Sequence, residues 1–415
     1  MGRLINMEKK ELIPHLFRTE WGKITTVLCK LFGTDHIDIA EDITSETFLA
    51  ALENWPYKGI PENPEAWLYT VAKNKARNYL IRKQLYNQKI LPKVKYSYPD
   101  MQEADIDMSD QHIMDSQLQM LFAICHPGLP AEAQIGLALR ILCGFGIEEI
   151  ANAFLTNRET INKRLYRAKE KLRTEKVIIE FPAQDVIHTR LENVLLTLYL
   201  LFNEGYYSES NDQILRESLC LEAMRLNYLL LENERTNLPN VNALLALMCF
   251  HSSRFAARTG EHGEMILYQD QDERLWNREL IAKGMHFLHL SAQGTTFSKY
   301  HLEANIAYWH TIKEDTMEKW ENILHLHNQL LIMEYSPIAA LNRTYALSKV
   351  KGKSAAIIEA EKLHLPGNHF YFMLLGELYS GIDDHKATEN FQQAYILAKT
   401  FTDKQTIEDR IDELT

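Results

Sequence analysis

Apolar positions recur at intervals of three and four along most of the chain, strand-like alternation is scarce, and only 17 Gly and 12 Pro interrupt the pattern. The sequence therefore predicts an all-α protein. Its interruptions separate three helical blocks. The first covers residues 11–84 and is broken by the stretch from Pro56 to Pro64, whose three prolines and one glycine predict a loop. The second covers 116–176, and the third runs from Phe181 to the end. Between the first two, Asp100, Glu103, Asp105, Asp107, Asp110 and Asp115 are six acids without a base, a composition that resists packing and suits a flexible tether.

In the second block Ile147, Ile150, Ala151 and Phe154 line one face of a helix that follows the breaker Cys143–Gly146. Thr156 and Glu159 have capping-box spacing, which predicts a new helix start. That helix has a buried stripe of Ile161, Leu165, Ala168 and Leu172, and seven bases (Arg158, Lys163, Arg164, Arg167, Lys169, Lys171, Arg173) opposed only by Glu159 and Glu170. A basic helix alone is commonly a solvated one. Preceded by a supporting helix and a capped turn, it has the form that enters a DNA major groove, where basic groups reach guanine edges and phosphates.

In the first block Asp38, Asp42, Glu46 and Glu53 fall on one helical strip, while Phe48, Leu52 and Trp55 fall on another that predicts core. An acidic strip is either solvated or pairs with arginines of a partner. Between Glu65 and Asp100 there is no acid, and eight bases from Lys73 to Lys95 are interleaved with Trp67, Tyr69, Tyr79 and Tyr86. Cations beside aromatic rings are what partly melted DNA requires, because bases stack on the rings while cations follow the backbone. Trp67, next to Leu68 in an apolar run, reads first as a core residue; Lys73, Arg77 and Asn78 are the better contacts.

The net charge of −11 is unevenly spread: residues 1–177 hold 24 Lys and Arg against 23 Asp and Glu, and the remainder holds 21 against 33. The acidity belongs to the third block. The five cysteines are far apart with no C-x-x-C pair, which fits a reducing cytosol, and the N-terminus lacks a signal peptide's apolar core. The apolar stretch Ala243–Phe250 is only eight residues long and predicts a buried helix rather than a membrane span. Leu341-Asn342 with Tyr345 recurs as Leu375-Gly376 with Tyr379 after 34 residues, the tetratricopeptide period, and Ala387, Phe391 and Ala394 keep the small-aromatic-small spacing of interlocking helices. No P-loop, nucleophile elbow or dinucleotide fingerprint is present, and no cofactor or metal is expected. His251, His262, Asp270, Asp272 and Glu273 are the first suspects for a hidden enzyme or sensor, but Asp270-x-x-Glu273 reads more simply as a helix cap with Trp276 as anchor.

The motifs resemble those of extracytoplasmic-function (ECF) sigma factors. Ala40-Glu41-Asp42-Ile43-Thr44-Ser45-Glu46-Thr47-Phe48 is similar to the segment that docks on the clamp helices of the polymerase largest subunit, with Ser45 where many relatives have Gln. The resemblance implies core-polymerase contacts by Asp38, Asp42, Glu46 and Phe48. The run from Ala66 to Leu80 resembles the −10 reading helix, with Asn78 in place of the usual Asp; Trp67, Lys73, Asn74, Arg77, Asn78 and Arg82 are its implied DNA contacts. The preceding proline-rich loop matches the segment that captures a flipped base. Ile147-Glu148-Glu149-Ile150-Ala151 and Thr160 to Lys169 look like the −35 helix-turn-helix, implying contacts by Arg158, Thr160, Lys163, Arg164, Arg167 and Lys171.

Leu200 to Tyr206, Asp270 to Trp276 and Ser336 to Arg343 are similar to the subgroup with a tetratricopeptide-like extension. The implied organisation is sigma region 2 over 10–84, a flexible linker over 85–115, sigma region 4 over 116–177, and a helical-repeat extension over 181–415 that regulates the factor in cis. Implied partners are core RNA polymerase, through its two largest subunits, promoter DNA, and a protein bound by the repeats, with no membrane. A cytoplasmic, non-enzymatic initiation factor is expected. The competing reading is a helix-turn-helix activator with a helical-repeat sensor domain, which would have no use for the first block.

Overall fold

The computed structural model describes residues 9–90, 106–206, 213–258, 260, 266, 268–294, 297–399 and 401–414. Every regular element among them is helical, so the protein is all-α as its periodicity predicts. Two compact units divide the chain: Met1–Gly205 with Ile214–Ala223, and Tyr206–Gln213 with Met224–Thr415.

The first unit begins with α1 (Lys9–Phe32), α2 (Ile37–Lys58) and α3 (Pro64–Ile90). Trp21, Ile24 and Leu28 of α1, Ile37, Ala40, Phe48, Ala51 and Trp55 of α2, and Leu68, Ala72 and Ala76 of α3 form their common core. The predicted loop is shorter than expected. Pro56, Tyr57 and Lys58 complete the last turn of α2, Gly59 closes it with φ +85°, and Pro64 opens α3 at the position where a missing N–H costs nothing. Phe48 packs against Phe17, with ring centroids 4.9 Å apart, whereas Leu52, expected in the core, is 53% exposed. At 100° per residue Leu52 lies about 80° around the helix from the centre of the face that buries Thr44, Ala51 and Trp55, so it stands at the edge of that face in solvent.

The predicted linker is partly helical: α3 continues to Ile90, and α4 (Asp110–Ile124) starts behind the Ser109 cap. The tether reading for 91–105 lies outside the described residues. Next come α5 (Ala131–Leu137), which runs into a wide π turn over Ala138–Leu142, α6 (Ile147–Ala153) and α7 (Arg158–Thr174). The cap of α7 differs from the predicted box. Asn157, not Thr156, accepts the Thr160 N–H at 2.8 Å, and Glu159 turns to Lys163. Leu155, with φ +48°, makes the sharp turn that places Asn157 at the helix start. Also in this unit are α8 (Ile187–Tyr206) and the beginning of α9 (Gln213–Leu231), residues that the sequence reading gives to the extension.

The two helical blocks pack directly on each other. Gly22, in the middle of α1, lies so close to the π turn that a Cβ built on it would stand 2.0 Å from the Leu142 carbonyl oxygen. The Trp21 indole N–H donates to the Arg140 carbonyl at 3.0 Å.

In the second unit α10 (Pro239–Ser252) is buried from Val241 to Phe250, and no helix among the described residues is long and apolar enough to cross a membrane. After α11 (Phe255–Arg258) and two single-turn 3-10 elements come α12 (Arg278–Ser291), α13 (Lys299–Trp309), α14 (Met317–Met333), α15 (Pro337–Lys351), α16 (Lys353–Glu361), α17 (His369–Tyr379), α18 (Asp384–Leu397) and α19 (Phe401–Asp412), each packed on the next. Asp270 and Glu273 do not form the expected helix cap. Asp272 caps one 3-10 turn, and Asn277 caps α12 by accepting the Leu280 N–H at 3.1 Å. Trp276 is buried, as an anchor should be.

Ala387, Phe391 and Ala394 of α18 are buried together against α17. The Phe391 ring rests on Gly376, where a Cβ would lie 2.5 Å from the ring edge. Alanine ordinarily favours a helix interior over glycine by about 1 kcal/mol. Here Gly376→Ala is expected to have the opposite sign, a loss of about 1–3 kcal/mol from overpacking, measured by urea unfolding of the full chain.

Candidate nucleic-acid and protein interface

The functional reading of the first unit rests on α2, α3 and α7. On α3, Leu68, Ala72 and Ala76 are fully buried at i, i+4 and i+8. This fixes the opposite side outward, where Asn74, Arg77, Asn78 and Arg82 are exposed and Lys73 is half-exposed. Trp67 is half-buried, edge-on to Trp55 at 5.4 Å, so it holds the start of α3 to α2. Tyr69 also faces inward, donating to the buried Glu20 carboxylate at 2.5 Å; burial, then that bond and the Glu20 charge, push its phenol far up. At the end of α2, Tyr57 is 89% exposed beside the loop that leads to α3. The sequence reading did not single it out.

On α2 the acidic strip divides. Asp42 and Glu53 are exposed, and Glu46 is exposed with Lys75 at 2.7 Å. Leu49 and Leu52 stand beside them in solvent. Phe48 is only 3% exposed, so a direct polymerase contact is corrected to a core role: its ring is enclosed by Phe17 and Trp21. Asp38 is not free either. Its two carboxylate oxygens accept from Lys169 Nζ at 2.7 Å and from Arg173 at 2.6 Å, both on α7.

Lys169 also reaches Glu41 at 2.6 Å, and the other Glu41 oxygen accepts from Arg140 Nε at 3.0 Å. Lys169 is 8% exposed and Glu41 is buried, so this is an interior ion cluster rather than a surface pair. Burial opposes the charge on Lys169, but Glu41, together with the hydrogen bonds, raises its pKa above the ordinary lysine value. Partial burial likewise works to raise Asp38, and Lys169 and Arg173 outweigh it, holding the carboxyl below the usual range. The neighbouring Cys29 thiol is driven far up by burial and by the Glu41 charge, which leaves it a packing residue.

The rest of α7 faces solvent. Arg158, Thr160, Lys163, Arg167 and Lys171 are exposed, with Lys163 paired to Glu159 at 2.6 Å and Lys171 to Glu175 at 3.1 Å. Arg164 departs from its expected role: it is half-buried, lies over the Phe154 ring at 5.1 Å and approaches Glu132 at 3.8 Å, so it joins α7 to its own block. Sequence reasoning missed the different fate of Lys169 and Arg173. The available signal was Lys169 lying next to the buried Ala168, on the edge of the apolar stripe.

In the second unit the suspected acid and histidine groups do not converge. His251 is half-buried with its ring against Tyr206, and desolvation, reinforced by Arg254 and Arg258, holds its pKa well below 6.5. Asp270 and Glu273 are exposed, and His262 lies outside the described residues. No group of three or more His, Cys, Asp or Glu able to hold a metal occurs among the described residues. Lys319, fully buried, is pushed down to about 8 by burial; it donates to the Ile312 carbonyl at 2.6 Å and to Tyr268 Oη at 2.8 Å. Lys313 donates to the carbonyls of Tyr268, Gln269 and Gln271, so both lysines stitch a loop and have no catalytic geometry.

Comparison with known proteins adds the following. Residues 16–85 match the family described as Sigma-70 region 2, and residues 190–292 match a family of unknown function (DUF6596). An uncharacterized protein of Rhizobium meliloti (strain 1021) is 33% identical over 387 residues, covering 91% of this chain and 90% of the relative. The ECF RNA polymerase sigma-E factor of Haemophilus influenzae is 26% identical over 134 residues, 32% of this chain and 71% of that protein. A probable RNA polymerase sigma factor of the same organism is 22% identical over 146 residues, 32% of this chain and 75% of its own length. No solved structure matches.

Stranding half of a buried pair costs about 3–5 kcal/mol, whereas an exposed i,i+4 pair contributes about 0.3–0.5 kcal/mol. Lys169→Met is therefore expected to destabilise the first unit by about 3 kcal/mol and Lys163→Met by less than about 0.5 kcal/mol, read from urea titrations of the full chain. Acid acts on the same cluster. Because Asp38 binds its proton less readily when folded, its contribution is complete above the unfolded carboxyl value of about 3.9 and is lost as pH falls through the lower folded value. The urea midpoint at pH 3 relative to pH 6 is expected to drop further for the wild type than for Asp38→Asn.

Proposed function

We propose, from the premise that this chain belongs to the sigma-70 family and forms one full-length family with its Rhizobium relative, that it is an ECF-type factor directing core RNA polymerase to specific promoters. The observation that carries this is α3: within the stretch matching Sigma-70 region 2, a fully buried inner stripe turns Lys73, Asn74, Arg77, Asn78 and Arg82 away from the core, and the same stretch holds the exposed Tyr57. That surface suits the −10 element as it opens. The cations follow the displaced strand, the amides of Asn74 and Asn78 offer donors and acceptors to base edges, and Tyr57 offers a stacking face.

In this reading Asp42 and Glu46, with Leu49 and Leu52 beside them, form the surface for the polymerase clamp. The exposed N-terminal half of α7 reads the −35 duplex through Arg158, Thr160, Lys163 and Arg167, as expected of a recognition helix whose first turns contact base edges. No covalent chemistry is asked of the chain; the polymerase performs nucleotide addition, and the bound strand lowers the cost of melting. The acidic helical-repeat extension serves as a regulator in cis, working in the cytoplasm, and its hairpins, such as α17 with α18, offer surfaces of the kind that bind peptides.

Run-off transcription with purified core polymerase tests the reading. The wild-type chain is expected to initiate at discrete sites, and Asp42→Arg with Glu46→Arg is expected to abolish initiation through loss of core binding. Lys163→Ala and Arg167→Ala are each expected to reduce the slope of log affinity against log salt by about 1 on duplex promoter DNA. A wild-type chain that neither binds core nor initiates would sink the proposal and leave a DNA-binding activator in its place.

A further inference from the structure

We infer that the second unit holds a binding site for a small oxyanion, a phosphate or a carboxylate, built on the buried guanidinium of Arg254 beside the Tyr268 ring. The inference concerns the second unit alone and does not depend on the sigma reading. Arg254 lies in the bend between α10 and α11 and is 7% exposed. Its backbone is held on both sides. The Arg254 N–H donates to the His251 carbonyl at 3.2 Å, its carbonyl accepts from the Ala257 N–H at 3.0 Å, and the preceding Ser253 carbonyl accepts from the Asn277 N–H at 2.7 Å. The fold therefore places this side chain, yet its buried Nε meets no acceptor, and no carboxylate of the described residues pairs with it. Less buried arginines of the same unit are treated differently: Arg343 has Glu359 at 3.6 Å, and Arg410 has Glu377 at 3.1 Å.

Arg254 is one of three cations around one ring. Arg254 Cζ, Lys313 Nζ and Lys319 Nζ stand 5.5, 5.3 and 4.9 Å from the centre of Tyr268. The two lysines donate to backbone carbonyls and to Tyr268 Oη, which satisfies their N–H groups without neutralising their charges. A ring face within about 6 Å attracts a cation but does not replace a counter-ion. Asp315, the acid whose charge acts most on Lys319, is already engaged by Lys349 at 3.2 Å and by the Trp320 indole N–H. The cluster thus carries more positive than negative charge in a largely desolvated place, where an unpaired charge is costly.

Two further nitrogens at the same ring lack acceptors. Trp276 stacks on Tyr268 with centroids 6.3 Å apart, and His310 stands edge-on to it at 5.1 Å. Trp276 Nε1 and His310 Nδ1 are both buried without a hydrogen-bond partner. Buried polar groups are ordinarily paired, so three orphan nitrogens around one ring, beside excess positive charge, call for an acceptor that carries negative charge. An oxyanion answers both needs: it takes the fork of a guanidinium through two oxygens and accepts from indole N–H and from the Nδ1–H tautomer of an imidazole. Tyr268, His310 and Lys313 are only partly buried, so solvent reaches the edge of the cluster while Arg254, Trp276 and Lys319 lie beneath.

The test titrates inorganic phosphate, acetate or chloride at matched ionic strength into the full chain and follows its thermal unfolding midpoint. A ligand bound only by the folded state raises that midpoint by mass action. Expected is a saturating rise of about 3–5 °C over chloride at tenfold excess above the Kd; phosphate or acetate, whichever acts at the lower concentration, identifies the class. Arg254→Met is expected to erase the rise and to leave the anion-free midpoint no lower than that of the wild type, because an apolar side chain needs no counter-charge. Arg274→Met, which removes an 87% exposed cation from the neighbouring turn, is expected to keep the full response. No rise over chloride with either anion, a rise that persists in Arg254→Met, or one that also disappears in Arg274→Met overturns the inference. So does an Arg254→Met chain that is less stable without anion or does not fold, since the guanidinium would then belong to the free fold and not to a site that takes a ligand.

Discussion

Everything in the first unit depends on how closely α1 approaches the π turn before Cys143. At Gly22 the helix backbone and the Leu142 carbonyl share space that a single methyl would fill, and this contact sets the position of the whole 116–177 block. Once it is set, Arg140 and Lys169 arrive on either side of Glu41, and the buried carboxylate becomes neutralised from two directions. Neither arrangement holds without the other. A displaced π turn would withdraw Arg140, and an unpaired Glu41 in the interior would carry a desolvation penalty of several kcal/mol.

A contact made this way differs from an apolar interface in one respect. Buried ion pairs contribute little net stability relative to well-packed apolar groups, because the charges regain water when they separate, but they tolerate few alternative registers. The cluster therefore specifies where α7 sits more than it determines how tightly α7 is held. Trp21, Phe145 and the glycine contacts supply the close packing; Asp38 and Glu41 supply the address.

Much of this was legible in the sequence, and the remainder was hidden for identifiable reasons. The all-α class, the buried helix over Ala243–Phe250 and the interlock of Ala387, Phe391 and Ala394 followed from periodicity, which is a local property. Local signals failed where two adequate candidates stood side by side. Thr156 and Asn157 are both good caps, and only the left-handed Leu155 makes Asn157 the one that reaches Thr160. Phe48 and Leu52 are four apart and look equivalent, yet α1 covers only the first. The cluster of Glu41, Lys169 and Arg140 joins residues about a hundred positions apart, and no periodicity reports on that. Gly22 was the one local trace: a glycine in mid-helix is unfavourable by about 1 kcal/mol relative to alanine, so its presence called for a close backbone approach.

The basic residues of α7 show why composition alone could not sort them. Read as a strip of charge, Arg158, Lys163, Arg164, Arg167, Lys169, Lys171 and Arg173 are one feature. In the fold they are three. Arg164 braces the block from within, Lys169 and Arg173 grip α2, and the others stand in solvent. An exposed pair such as Lys163–Glu159 can exchange its carboxylate for a phosphate at little cost, whereas a buried pair such as Lys169–Glu41 cannot, so burial decides which charges are open to DNA. For Lys169, enclosed with Glu41 and raised in pKa by it, the proton stays bound and the charge is already neutralised. Any role it has toward an outside partner must begin with the two helices coming apart.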